Sequence, residues 1–167
     1  LVRAGVVYVH LIDDDEIEAS NLQRQTLFLP EDIGKSKALS AAAMLARINP
    51  LTQAHGTVTR LDENNAYELL GMAENKPDLL LDCTDNFATR DSINRISVRY
   101  QIPLLSASAI AMQGQLALFE PQIDTGCYHC VFGSVVRDDA ADERTCANSG
   151  VLASTTAVMG NLQANAA

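Results

Sequence analysis

Apolar residues in this chain crowd into a few short runs, separated by longer stretches with helical spacing. From residue 6 to 12 the sequence VVYVHLI is rich in β-branched residues and nearly continuous in apolarity, the pattern of a strand buried on both faces. It ends in Asp13, Asp14 and Asp15. Shorter runs, DLLLD at 78–82 after Pro77 and PLLSA at 103–107, predict two more strands. Residues 35–49 contain no Gly or Pro, place Leu39, Ala42, Leu45 and Ile48 on a shared face, and are stopped by Asn49-Pro50. Residues 64–74 and 87–100 predict two further helices. Strand, helix, strand, helix, strand is the order of parallel βαβ units, so the expected class is α/β with a doubly wound, mainly parallel sheet. Residues 112–120, MQGQLALFE, predict an added strand antiparallel to the rest. Residues 150–167 return to small apolar residues with Gly160 among them, which predicts a helix packed closely against the sheet. The segment 134–149 lacks bulky apolar side chains and reads as a mobile surface loop.

With 167 residues, 47% of them hydrophobic, there is enough apolar material for one core and too little chain for a second complete domain, so a single domain over 1–167 is expected. Twelve Lys plus Arg stand against 21 Asp plus Glu, a formal net charge of −9. That field repels phosphate backbones and anionic lipid, which argues against nucleic acid or a membrane surface as partner. No long apolar run and no cleavable leader pattern occurs, and a cytoplasmic location is expected. Cys83, Cys127, Cys130 and Cys146 sit in a chain too core-rich to need disulfide staples. Thiol or metal chemistry is the better reading of them.

In an open α/β sheet, ligands bind off the carboxyl ends of strands, and a carboxylate ending such a strand typically accepts hydrogen bonds from a ribose. Asp13 has that position, although an acidic turn in solvent has the same local pattern. A glycine loop of the GxGxxG kind belongs before this strand, and LVRAG at 1–5 reads as the end of the helix that would follow it. In SNLQRQ at 20–25, Arg24 offers a planar fork for phosphate oxygens, and Lys37 a point charge at a helix start where backbone N–H groups also favour anions. Each is equally a solvated cation when taken singly. DCTDN at 82–86 leaves a strand and enters a helix. A carboxylate on that elbow can hold magnesium against a phosphate, or Asp85 or Thr84 can simply cap the helix.

Cys127-Tyr128-His129-Cys130 is one CxxC, half of a tetrahedral zinc site, with His129 expected to point away. A redox dithiol would favour a helix N-terminus after a strand, which the pattern does not place there. Cys146, beside Arg144 and ahead of the last helix, has surroundings that lower a thiol pKa, whereas most lone cysteines are packing residues.

Taken in order, LIDDDEIEASNLQRQ, the IGKSK helix start, LLLDCTDN, the Gly114-Gln115 pair, CYHC and TCANSGV resemble the ThiF/MoeB/HesA superfamily, bacterial relatives of the ubiquitin-activating enzymes. The resemblance runs from about residue 5 to the end. It implies a Rossmann-like adenylation domain, incomplete over 1–167 because its first strand and glycine loop precede residue 1. It also implies a homodimer that joins AMP from ATP to the C-terminal glycine of a ubiquitin-like sulfur carrier of ThiS or MoaD type, for thiamine or molybdenum cofactor synthesis. By motif, Asp13 would bind ribose, Asn21, Arg24 and Lys37 the phosphates, and Asp85 magnesium, with Asn86 beside it in the nucleotide site. Cys127 and Cys130 would be two of four zinc ligands, the others lying past Ala167. Cys146 would attack the carrier adenylate or accept sulfur from a donor protein, on a loop at 134–149 that crosses the nucleotide site.

Two other functions share parts of this pattern. A Rossmann oxidoreductase would use the same sheet and ribose carboxylate, but Arg24, Lys37 and Asp85 suit a triphosphate and magnesium better than a nicotinamide. A non-catalytic subunit of an activating heterodimer would keep the fold and lose those three residues.

Overall fold

A computed structural model describes residues 1–123, 126–133 and 150–167. The chain divides into two units, Leu1–Arg60 and Leu61–Ala167.

In the first unit a 3-10 turn at Val2–Ala4 closes on Gly5, whose φ of 96° is left-handed and suits the residue without a Cβ. Strand β1 (Tyr8–Ile12) follows, and strand β2 (Gln53–Thr57) pairs with it in parallel, Tyr8 opposite Gln53 through Ile12 opposite Thr57. The helix between them, α1 (Lys37–Ile48), makes this a βαβ unit. Ser36 begins α1 by accepting the Leu39 N–H on its Oγ at 3.3 Å.

Two expectations are corrected here, and one strand is added. The first strand is not buried on both faces: Tyr8 is 53% exposed and Val7, just before it, 65%, and among the described residues α1 is the helix that packs on β1. β2 carries too few large apolar residues to stand out as a strand. The buried face of α1 runs through Ala38 and Ala41, while Leu39 is exposed, so the face is turned by one position from the Leu39, Ala42, Leu45 and Ile48 stripe. The reason is a close backbone crossing: a Cβ on Gly56 would stand 2.5 Å from the Ala38 carbonyl oxygen, and only small residues admit that approach.

The second unit holds a three-stranded sheet in the order β3 (Leu80–Asp82), β4 (Leu104–Ile110), β5 (Gln113–Phe119). β3 and β4 are parallel, with α3 (Phe87–Tyr100) as the crossover, and β5 returns antiparallel from Gln113 opposite Ile110 to Phe119 opposite Leu104. The added antiparallel strand is therefore where the pattern puts it. The helix expected over 64–74 shrinks to the single turn α2 (Ala66–Leu69), because Gly71 adopts a left-handed φ of 62° and ends it. α4 (Tyr128–Phe132) and α5 (Ala153–Ala166) complete the unit. α5 packs on β4 and β5, but its close contact is not at Gly160, which faces open space. It is at Gly114 of β5, where a Cβ would meet the Met159 side chain. The core of this unit is Ile93, Ile96, Ile102, Leu104, Leu105 and Phe119. No helix among the described residues is long and apolar enough to cross a membrane.

Candidate functional site

The carboxyl end of β1 delivers Asp13. Its N–H donates to the Thr57 carbonyl at 3.2 Å, extending the pairing with β2 by one residue, and its Oδ1 accepts the Asp15 N–H at 2.8 Å. Burial raises the Asp13 carboxyl above its ordinary value. The Asp15 N–H and the Lys37 charge oppose that shift, and the charges of Asp15 and Asp14 add to it. Oxygens of Asp13, Asp14 and Asp15 lie within 4.8 Å of one another, yet two of the three are already matched with cations. Lys37 Nζ is 2.7 Å from Asp15 Oδ2, and Arg60 Nε is 3.4 Å from Asp14 Oδ2.

Lys37 opens α1, as its place in the sequence indicates, and its N–H also donates to the Asp15 carbonyl at 3.0 Å. Asn21 is buried and has a local task. It ends a 3-10 turn (Ala19–Asn21) in which its Oδ1 accepts the Glu18 N–H at 3.4 Å while its own N–H donates to the Glu18 carbonyl at 2.9 Å. Arg24 is half-buried and spends one N–H, from Nη1, on the Ser20 carbonyl at 3.1 Å.

In the second unit β3 ends in Asp82, 1% exposed, and its carboxylate organises the loop that follows. Oδ1 accepts the Thr84 N–H at 2.9 Å and the Thr84 hydroxyl at 2.7 Å; Oδ2 accepts the Ser106 hydroxyl at 2.6 Å. Arg90 Nε stands 3.5 Å from Oδ2, and Arg90 Nη2 donates to the Thr84 carbonyl. Asn86 is the N-cap of α3, accepting the Thr89 N–H on Oδ1 at 2.9 Å. This corrects the reading of Asp85 or Thr84 as the cap: Asn86 has the extended φ and ψ that a cap requires, and Thr84 is bound to Asp82. Asp85 is exposed and makes no hydrogen bond or ion pair among the described residues. A carboxylate with no partner, one residue ahead of a capped 14-residue helix, is free to ligate a hard cation.

Cys127 and Cys130 bracket the start of α4, with Cys127 as its N-cap and the two sulfurs 3.6 Å apart. This is the helix N-terminus that the sequence pattern did not place there. Asn94 on α3 fixes it from below, its Oδ1 accepting the Tyr128 N–H at 3.0 Å and its Nδ2 donating to Cys127 Sγ at 3.6 Å. Edge-to-face contacts of Phe119 with Tyr128 and Phe132 tie α4 to the end of β5. Burial pushes the Cys127 thiol up, but hydrogen bonds from the Cys130 N–H, Asn94, the Cys130 thiol and the His129 N–H outweigh it, and the net shift is downward. His129 does turn away, with Nδ1 3.4 Å from Asp91 Oδ1. Two Zn–S bonds of about 2.3 Å at a tetrahedral angle set sulfurs roughly 3.8 Å apart, so this pair fits one edge of a zinc tetrahedron. Cys146 lies outside the described residues.

Three supporting residues escaped sequence reasoning: Asp82, Asn94 and Gln163. Each makes at least one hydrogen bond to a position distant in the chain, for which a linear pattern carries no signal. A cleft of about 390 Å³ lined by Lys76, Asp78, Gln101 and Gln122 lies at the amino ends of β3 and β4, the end opposite Asp85. Ligands in open α/β sheets bind at the other end, and this cleft takes no part in the site.

Among known proteins, the sulfur carrier protein ThiS adenylyltransferase of Escherichia coli K12 is 41% identical over 164 residues, covering 98% of this chain and 62% of its own length. The molybdopterin-synthase adenylyltransferase of the same organism is 39% identical over 167 residues, with 98% and 63% covered. The chain thus spans under two thirds of these relatives. E. coli MccB, solved with ATP, superposes with a TM-score of 0.75 at 24% identity, over 98% of this chain and 48% of that one, which establishes a shared Rossmann-like fold. The model of the ThiF family matches residues 1–167, and the chain belongs to the ThiF family.

Proposed function

We propose that this chain is the adenylation domain of an enzyme that joins AMP to the C-terminal glycine of a ubiquitin-like sulfur carrier of ThiS or MoaD type. The observation that carries the reading is Asp85, a carboxylate with no partner among the described residues, on a loop anchored from beneath by Asp82 and followed by the capped α3. The two E. coli relatives, both adenylyltransferases, support it and set aside nicotinamide chemistry.

In the proposed reaction a carboxylate oxygen of the carrier's last glycine attacks the α-phosphorus of ATP. The bond to the bridging oxygen breaks, pyrophosphate leaves with that electron pair, and an acyl adenylate remains. The attacking group is already ionised and needs no base, so the protein's task is to position the reactants and offset charge. Asp13 accepts a ribose hydroxyl. Arg24, which spends one N–H among the described residues, grips phosphate oxygens alongside Asn21, and Lys37 does so by exchanging its Asp15 partner for phosphate. Asp85 is the ligand for magnesium, with Asn86 next to it. A magnesium ion held there would supply positive charge to offset the charge that develops on the phosphate. Cys127 and Cys130 supply half of a structural zinc site. A homodimer, a sulfur-donor protein, a cytoplasmic setting and a thiol role for Cys146 in accepting the carrier complete the reading on sequence grounds.

The test is Asp85→Ala in the complete protein. Because Asn86 rather than Asp85 caps α3, thermal stability should hold within the roughly 1 kcal/mol that losing a cap would cost. Carrier-dependent exchange of pyrophosphate into ATP should fall at least about 100-fold, the scale of losing a key charge-stabilising group. Exchange at a near-normal rate would refute the assignment.

A further inference from the structure

The side-chain amide of Gln163, buried near the end of α5, makes three hydrogen bonds, two to the carboxyl end of β3 and the loop residue after it and one to β4 beside them. Nε2 donates to the Asp82 carbonyl at 3.0 Å and to the Leu105 carbonyl at 2.9 Å, and Oε1 accepts the Cys83 thiol at 3.4 Å. Both amide hydrogens are thereby used. The contact falls where β3 needs it: the β3–β4 ladder ends with Asp82 opposite Ser106, whereas β4 continues to Ile110 against β5. Beyond that point the ladder no longer holds the β3 end, and Gln163 takes its place.

We infer that Gln163 is a positioning residue for adenylation: its amide fixes the carboxyl end of β3 and, through Cys83 and Thr84, the place of the Asp85 carboxylate. The inference rests on the function proposed above. Residues 83–85 are held from two sides, by the Asp82 carboxylate with Arg90 through Thr84, and by the Gln163 amide through Cys83 and the Asp82 carbonyl. Releasing one side lets Asp85 drift, and a misplacement on the order of 1 Å costs about 100-fold in rate. The residues proposed for ribose and phosphate belong to the first unit, whereas the three bonds of the Gln163 amide are all made within the second.

The experiment uses the complete protein with its carrier and reads pyrophosphate exchange. Gln163→Leu is expected to lower kcat between about 10- and 100-fold with KM for ATP within about threefold. Met159→Ala loosens the same helix without touching the amide, and is expected to lose comparable thermal stability while keeping kcat within about twofold. A Gln163→Leu kcat within threefold of wild type, or an equal kcat loss in Met159→Ala, would overturn the inference. Wild-type protein without carrier-dependent exchange would instead refute the proposed function. Should Gln163→Leu fail to fold, Gln163→Glu decides. Its carboxyl faces two carbonyls, Asp82, Arg90 and the Cys83 thiol, and donates a hydrogen bond only when protonated. Its kcat should therefore fall with rising pH more steeply than wild type, and a parallel profile would overturn the inference.

Discussion

Replacing Asp82 by Ala tests the account of the β3 end most sharply. The side chain is 1% exposed, and it accepts hydrogen bonds from Thr84 N–H, Thr84 Oγ1 and Ser106 Oγ at 2.9, 2.7 and 2.6 Å. Removing it leaves Arg90, 10% exposed at its side chain, with no anion at 3.5 Å; its Nε already lacks a hydrogen-bond partner among the described residues. Breaking one side of a buried pair costs about 3–5 kcal/mol, because the remaining charge stays desolvated. At roughly 2–4 °C per kcal/mol for a chain of this size, the melting temperature should drop ~6–20 °C. The assay is thermal and urea unfolding of the complete protein followed by circular dichroism. Asp82→Leu combined with Arg90→Met removes both charges and should recover the part of the loss that comes from the stranded guanidinium, but not the cost of leaving the Thr84 and Ser106 donors without their acceptor. That double variant should still fail in pyrophosphate exchange, because the Asp85 loop has lost its anchor. A single-variant cost under about 1 kcal/mol would show that the Asp82–Arg90 pair is not desolvated as described.

Two glycines and two thiols give further predictions. Gly56→Ala forces a Cβ to 2.5 Å from the Ala38 backbone oxygen, which cannot yield cheaply, and should cost about 2–3 kcal/mol in urea unfolding. Gly114→Ala meets only the flexible end of Met159, at 2.2 Å from Sδ, and should cost less than about 1.5 kcal/mol in the same assay. Cys83 lies at the surface over densely packed protein; that surrounding mass and then the Asp82 charge push its thiol up to about 11, whereas the Cys127 thiol is held below its ordinary value. Iodoacetamide at neutral pH, after chelation and with sites read by mass spectrometry, should therefore label Cys127 at least about tenfold faster than Cys83. Equal rates would refute the assigned environments.

The strands β1, β3, β4 and β5 and the helix α3 were legible in the sequence, because apolar runs, Pro77 and an uninterrupted helical segment mark them directly. β2 was not, since QAHGT has little apolar content and owes its strand to pairing with β1. The α1 face was misread for a related reason: the choice between Leu39 and Ala38 was made by Gly56, an element away. In the site, the residue types and order pointed to Asp13, Lys37, Asp85 and the CxxC. Which residue of Asp85-Asn86 caps α3 is decided by backbone angles that the dipeptide leaves open. The supporting shell was silent because the partners of Asn94 and Gln163 sit tens of positions away, and Asp82, although it bonds Thr84 two residues on, is completed by Ser106 on another strand.

The bond from Gln163 to the Asp82 carbonyl spans 81 positions, and that span has a consequence during synthesis. At about 5–20 residues per second, translation needs roughly 4–16 s after Asp82 is made before Gln163 exists. Through that interval the β3 end has no contribution from α5, and the nascent chain must keep a half-held strand terminus from pairing with a neighbour. The βαβ unit of β1, α1 and β2 lies wholly upstream, so its own contacts can close while the second half is still on the ribosome. Slowing elongation while the β3 end has left the ribosome and Gln163 has not should therefore lower the yield of folded protein, whereas the same pause placed once Gln163 has also emerged should not.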